Sequence, residues 1–249
     1  MLILGVDIGG SGIKGAIVDT VTGELVTERY RIVTPQPATP TAVAEALLQL
    51  TTYFNWNGLV GCGFPAAIQH GIVRTAANIA PSFIGTQLDT LFSDATQCRC
   101  YCVNDADAAG IAEMTFGEGR GHQGVVLLVT IGTGLGTVLF SEGKLLPNTE
   151  LGHLYLKNGK TAERYAADSV RKLKHLSWRQ WGKRFNTYLA QMEALFWPDL
   201  IILGGGASKK FSKYQEQLTV AAVVKPAVFL NQAGIVGAAL YARSKNTEA

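Results

Sequence analysis

The stretch Leu2-Ile3-Leu4-Gly5-Val6-Asp7-Ile8-Gly9-Gly10-Ser11-Gly12-Ile13-Lys14-Gly15-Ala16-Ile17-Val18 decides the reading of this chain. Leu2–Ile8 alternates little and reads as a buried strand. Gly9–Gly15 reads as a glycine-rich turn. Gly15–Thr20 and Leu25–Val33 are strand-like, with Thr22-Gly23-Glu24 as the turn between them. About 125 residues later the pattern returns: Val125–Ile131 as a buried strand, Gly132-Thr133-Gly134-Leu135-Gly136 as a turn, Thr137–Phe140 as a strand. A strand–glycine turn–strand unit that occurs twice predicts two similar lobes facing each other.

Gly10–Gly15 spells G-x-G-x-x-G, but a dinucleotide site needs a helix next. Here Ala16-Ile17-Val18-Asp19 and a turn follow, which reads as a hairpin. No Gly-Lys-Ser/Thr ends the stretch, so it is not a Walker loop either. What remains is a glycine hairpin whose amides can approach an anion closely. Asp7 at its mouth suits a hydrated Mg²⁺ held through water. An ordinary tight turn would need glycine too, but not four glycines at positions 9, 10, 12 and 15 beside an acid and a lysine. Gly204-Gly205-Gly206, after the strand Leu200–Leu203, lets a flat group or a backbone pass closely.

Between these landmarks strands alternate with helices, so the class is α/β. Thr39-Pro40 is a helix entry, a capping hydroxyl followed by proline. Asn104–Thr115 reads as a helix after a strand ending at Val103. Thr161–Leu176 reads as one amphipathic helix with Ala166, Val170, Leu173 and Leu176 on a shared face. Ser177 caps another, with Trp178, Trp181, Phe185, Leu189 and Met192 on one stripe; a final helix starts near Ala233.

The 249 residues are 47% hydrophobic and 16% charged, which excludes a disordered chain. The longest apolar runs are strand-sized, so no membrane partner is expected. Met1–Leu4 has no basic region ahead of its apolar residues, so no secretory signal is expected. Cys62, Cys98, Cys100 and Cys102 lack the paired spacing of a zinc site and read as reduced structural cysteines in a cytoplasmic protein. The net charge of +3 hides an asymmetry. Lys157 to Arg184 holds nine basic residues against Glu163 and Asp168, a net +7, leaving −4 elsewhere. A basic face of this kind serves a polyanion or is a solvated helix surface.

The order Asp-Ile-Gly-Gly at Asp7, Asn-Asp-Ala at Asn104, Gly-Thr-Gly-x-Gly at Gly132, Glu-x-Gly-His at Glu150 and Leu-Gly-Gly-Gly at Leu203 resembles the ROK family of sugar kinases. The resemblance implies an actin-like (ribonuclease H-like) two-lobed fold with a central cleft. It divides the chain into a small lobe, residues 1–107 with a helix of about 235–249 packed back on it, and a large lobe, 108–234. Ser11–Ala16, Gly63-Phe64-Pro65 and Thr75-Ala76-Ala77-Asn78 resemble the branch that phosphorylates glucose with inorganic polyphosphate. By this resemblance Asp105 is the catalytic base, although local sequence leaves a helix cap equally open. Glu150 and His153 resemble sugar-hydroxyl ligands. Asn104, Asn78 and Glu163 are further candidates. The donor-phosphate set is Gly9, Gly10, Ser11, Gly12, Lys14, Thr133, Gly134, Gly204 and Gly205, with Lys209 and Lys210 nearby. Many family members follow Glu-x-Gly-His with a cysteine-rich zinc motif. This chain has no cysteine after Cys102, so no structural zinc is expected, and Glu163 stands as a candidate without that motif beside it. The family's repressors carry an N-terminal DNA-binding domain; this chain starts at the first phosphate strand, so no nucleic-acid partner is expected.

The expected activity is therefore transfer of phosphoryl from polyphosphate to the 6-hydroxyl of glucose, with Mg²⁺ accompanying the donor. The alternatives are an ATP-dependent hexokinase of the same fold and a non-catalytic sugar or polyanion binder. A homodimer is the family expectation, and the aromatic stripe Trp178–Phe185 looks larger than one small core would bury.

Overall fold

The computed structural model describes residues 1–76 and 79–248. Asn78, expected as a sugar contact, lies outside the described residues. The chain forms two compact units, Met1–Ala112 with Gln232–Ala249, and Glu113–Asn231.

The first unit is built on a sheet of β1 (Leu2–Gly9), β2 (Gly12–Asp19), β3 (Tyr30–Ile32), β4 (Val60–Phe64) and β7 (Cys100–Asn104). The strand order is β3-β2-β1-β4-β7. β1 and β2 are antiparallel with Gly9 opposite Gly12, whereas β4 and β7 run parallel to β1. A short hairpin, β5 (Ile68–Gln69) with β6 (Ile72–Val73), lies between β4 and β7. Helix α1 (Pro40–Tyr53) starts where the Thr39 hydroxyl accepts the Ala42 N–H at 3.3 Å, with Pro40 in the first turn. Its Val43, Leu47 and Leu50 join Ile8, Ile13, Phe64 and Phe92 of α2 (Leu88–Thr96) in one core. Fully burying each such side chain contributes roughly 1.5–3 kcal/mol. Cys62, Cys98, Cys100 and Cys102 are free and buried in that core.

Helix α7 (Ala233–Glu248) packs on β1, β4 and β7. It sits so close that a Cβ on Gly5 would strike the Ile235 carbonyl and one on Gly61 the Ala238 carbonyl. Two strand glycines, costly for strand propensity, therefore make room for a helix.

The second unit repeats the scheme. Its strands are β8 (Val125–Ile131), β9 (Leu135–Ser141), β10 (Lys144–Leu146), β11 (Leu200–Gly205) and β12 (Val223–Pro226), in the order β10-β9-β8-β11-β12. An antiparallel meander again precedes two parallel strands, so the duplicated sequence pattern is a duplicated topology. Helix α3 (Asp105–Phe116) carries the chain from the first unit into the second. The second core gathers Leu127, Val129, Ile201 and Leu203 with helices α4 (Ala162–Ala166) and α6 (Trp178–Phe196).

Four expectations need correction. The first turn is not Gly9–Gly15 but Gly10-Ser11 alone, because the β1–β2 register pairs Ile8 with Ile13 and Asp7 with Lys14. Of Leu25–Val33, only Tyr30–Ile32 forms a strand, with an isolated bridge from Leu25 to Val18. Thr161–Leu176 is not one helix. It breaks at Ala167, whose backbone is extended (φ −65°, ψ 156°), into α4 and α5 (Asp168–Leu173). The break leaves Leu173 78% exposed rather than on a shared apolar face. Finally, Trp181 and Phe185 are fully buried in the second unit's own core and Trp178 packs half-buried against it, so one core covers most of the aromatic stripe.

Candidate active site

In the first unit, Asp105 stands where β7 ends and α3 begins. The capping task at this start falls to its neighbour. Asn104 Oδ1 accepts the N–H groups of Ala106 (2.9 Å) and Asp107 (3.1 Å), and its Nδ2 donates to the Ala66 carbonyl at 3.1 Å. Asn104 is buried, and these bonds tie the start of α3 to the segment after β4. Asp105 Oδ1 accepts the Ala106 N–H at 2.8 Å, which anchors its carboxylate at the positive end of a twelve-residue helix.

Asp7 and Lys14 face each other across the β1–β2 ladder, and Lys14 Nζ lies 3.2 Å from Asp7 Oδ2. Two residues expected to hold different parts of a metal–phosphate donor are thus paired with each other. A single half-buried carboxylate suits Mg²⁺ that keeps most of its water shell. Among the described residues, no cluster of three or more His, Cys, Asp or Glu side chains could hold a metal ion alone. At the hairpin tip, the Thr34 hydroxyl donates to the Gly9 carbonyl at 2.5 Å, and Arg31 Nη2 donates to the Ser11 carbonyl at 2.6 Å. The Arg31 guanidinium covers Gly12 so closely that a Cβ there would lie 2.5 Å from its Nε.

In the second unit, Glu150, His153 and Glu163 come together. His153 Nε2 is 3.7 Å from Glu150 Oε2, and His153 Nδ1 is 3.8 Å from Glu163 Oε1. The other Glu163 oxygen lies beside the second glycine turn, 2.7 Å from where a Gly134 Cβ would be. Burial raises the pKa of the Glu150 carboxyl. The His153 charge opposes that shift and the Glu163 carboxylate adds to it. Imidazole between carboxylates offers the mixed donors and acceptors that sugar hydroxyls need. Thr137 of β9 places this group. It donates to the Thr149 carbonyl, accepts the Leu151 N–H at 2.9 Å, and receives the Thr149 hydroxyl on its carbonyl at 2.9 Å.

The second turn spans Gly132–Gly134, closed by the pair Ile131–Leu135. Gly204 and Gly205 end the neighbouring β11 opposite Thr130 and Ile131. Gly205 adopts φ 76° and passes against the Ile131 backbone, 2.5 Å from a notional Cβ to Ile131 O; both features favour glycine. Lys209 and Lys210, both exposed, follow where a run of 3₁₀ turns kinks at Lys210. Ser169, the second residue of α5, reaches back to the turn. Its N–H donates to the Gly132 carbonyl at 3.2 Å and its hydroxyl to the Thr133 carbonyl at 2.6 Å.

In the basic segment, Asp168 is buried and neutralises Arg171 (2.6 Å) and Lys172 (2.9 Å). Burial by itself would raise the Asp168 pKa, but the bonds and charges of Lys172 and Arg171 outweigh it and hold it below the usual value. Arg171 stacks on Trp178 at 4.0 Å, and Arg184 lies over Tyr165 at 5.2 Å. Among the described residues, Lys157, Lys160, Arg164, Lys174, Arg179 and Lys183 have no carboxylate partner, and all six are exposed. Sequence reasoning missed Thr34, Arg31, Thr137 and Ser169. Each acts by bonding a backbone group distant in sequence, and a single sequence carries no signal for that.

Comparison with known proteins places this geometry. The chain is 46% identical over 237 residues to the polyphosphate glucokinase of Mycobacterium tuberculosis, covering 95% of this chain and 89% of that protein. The crystal structure of an inorganic polyphosphate/ATP-glucomannokinase from Arthrobacter sp. strain KM superposes with a TM-score of 0.93 at 43% identity, covering 98% and 99% of the two chains. A ROK family glucokinase from Streptomyces griseus shares the fold, with a TM-score of 0.84 at 23% identity over 98% of this chain and all of that one. The sequence profile of the ROK family matches residues 3–168. The motifs, the duplicated two-lobed topology and that match agree: this chain belongs to the ROK family.

Proposed function

We propose that the chain is a polyphosphate-dependent glucokinase, which moves a phosphoryl group from inorganic polyphosphate to the 6-hydroxyl of glucose. The observation that carries the donor is the close relationship, along nearly the whole chain, to polyphosphate-using relatives. The chemistry follows from the site. Asn104 caps α3. Asp105 is then the carboxylate that accepts the 6-hydroxyl proton as that oxygen attacks phosphorus. Glu150, His153 and Glu163 bind sugar hydroxyls. The amides at Gly10 and Thr133–Gly134, with Gly9, Ser11 and Gly12 shaping the first turn, take the donor phosphates; Gly204 and Gly205 flank the second turn. Mg²⁺ accompanying the donor supplies charge neutralisation. Asp7 would hold that ion through water, with Lys14 beside it, 3.2 Å away, as a cation for the donor phosphates. The unpaired cations of residues 157–183 give a polyanion a track with little competing negative charge. On the family expectation the enzyme works as a cytoplasmic homodimer.

A glucose 6-phosphate assay with polyphosphate, ATP or no donor tests this reading. Polyphosphate is expected to sustain turnover, and its rate is expected to fall more steeply with salt than the ATP rate. No product with polyphosphate refutes the donor. The Arthrobacter relative is a glucomannokinase, which makes mannose the second acceptor to try, with fructose as the contrast.

A further inference from the structure

The glycine turns share an arrangement that their sequences do not reveal. In a peptide plane the carbonyl of one residue and the N–H of the next point in opposite directions, so holding one fixes the other. In the second turn, Ser169 takes the Gly132 carbonyl with its N–H and the Thr133 carbonyl with its hydroxyl. The Gly134 carbonyl accepts the Gly132 N–H at 3.1 Å. All three turn carbonyls are thus engaged within the protein. Among the described residues, the N–H groups of Thr133 and Gly134 have no partner. In the first turn, the Thr34 hydroxyl holds the Gly9 carbonyl at 2.5 Å, which fixes the Gly10 N–H; that N–H also has no partner among the described residues.

We propose that Ser169 and Thr34 are positioning residues for the donor phosphates. By holding carbonyls they keep three amides, Gly10, Thr133 and Gly134, turned outwards as anion donors. The proposal rests on the reading that these turns bind the donor. Glycine beside each held plane makes the hold necessary, because glycine lets a peptide flip at little steric cost. A flip of the Thr133–Gly134 plane would replace an N–H with a carbonyl oxygen, exchanging attraction for repulsion of a phosphate. Ser169 can resist this because its helix is itself fixed. Asp168 beside it is buried and tied to Arg171 and Lys172, and Arg171 is stacked on Trp178. Thr34 is likewise buried, 2% exposed.

The test compares Ser169→Ala and Thr34→Val with the full chain, using saturating glucose and both ATP and long-chain polyphosphate. Each variant is expected to raise the donor KM about tenfold and lower kcat by a similar factor, equally for both donors. The glucose KM should stay within about twofold and Tm should be nearly unchanged in Ser169→Ala. Restoring a hydroxyl with Ser169→Thr or Thr34→Ser should recover most of the donor KM. Unchanged donor parameters overturn the proposal, as does a parallel loss of donor and glucose binding that the hydroxyl variants fail to rescue. If Thr34→Val does not fold, Ser169→Ala decides alone. If ATP works and polyphosphate does not, the polyphosphate reading fails while the Ser169 result still stands on ATP. If neither donor works, calorimetric binding of tripolyphosphate to wild type and Ser169→Ala decides. A weaker variant supports the proposal and equal affinity overturns it.

Discussion

Asp105 and Asn104 divide two tasks that local sequence leaves open to either. Asn104 spends its carbonyl oxygen on two helix amides, so replacing Asp105 with Asn removes a base without removing the cap. Asp105→Asn is expected to lower kcat by about 10²–10⁴-fold while glucose binding, measured by tryptophan fluorescence or calorimetry, is retained. Glu150 makes the opposite kind of case. Burial and the Glu163 carboxylate favour its protonated form in the folded state. A carboxyl with a raised folded pKa binds protons more readily folded than unfolded. Its contribution therefore falls as pH rises from the ordinary value of 4.5 through the raised one. Glu150→Gln is expected to raise Tm at neutral pH and leave it unchanged at acid pH, while the glucose KM rises by about tenfold. A gain in stability with a loss of binding marks a group kept for chemistry. At this scale the motif residues were legible because their chemistry is tied to their type. Thr34 and Ser169 were not, because a hydroxyl that bonds a remote carbonyl looks like any surface Thr or Ser.

The strand Val125–Ile131 is read correctly from its apolar run because a strand buried on both faces needs no other signal. The segment Thr161–Leu176 is misread for a physical reason. Its helical periodicity is real, but the bonds from Ser169 to the Gly132–Thr133 turn demand a change of direction, and Ala167 supplies it with extended backbone. Tertiary bonding thus overrides local propensity. The new start at α5 depends on Asp168. Its folded pKa is held below the ordinary 3.8, so its stabilisation is present above that value and is lost as pH falls through the lowered one. Asp168→Asn is expected to destabilise by about 1–3 kcal/mol at pH 7 and progressively less below pH 3.8, as urea unfolding across pH would show. The neighbouring cations act on the donor instead. Neutralising Lys174, Arg179 and Lys183 together should raise the KM for long polyphosphate. The slope of log KM against log salt should lessen by about two, on the scale of single-stranded polyanions. An unchanged salt slope would assign those charges to a solvated surface.

Across the whole molecule the chain passes between its units twice, at Ala112–Glu113 and at Asn231–Gln232. Glu113, fully buried, joins the segments just inside the second unit at these two passages. Its Oε1 accepts the Phe229 N–H at 2.7 Å and its Oε2 the Glu118 N–H at 3.2 Å. Glu113→Ala strands two amides and is expected to cost about 1–3 kcal/mol for each, while Glu113→Gln retains one acceptor and loses less; chemical denaturation midpoints would rank them. The close seating of α7 over Gly5 and Gly61 bears on how the protein is made. The second unit is one continuous segment, whereas the first needs residues near both ends of the chain. During synthesis, the sheet of β1, β4 and β7 therefore leaves the ribosome with the groove for α7 still open. The unit begun first is completed last, and its exposed apolar face must wait for the whole second unit to be translated.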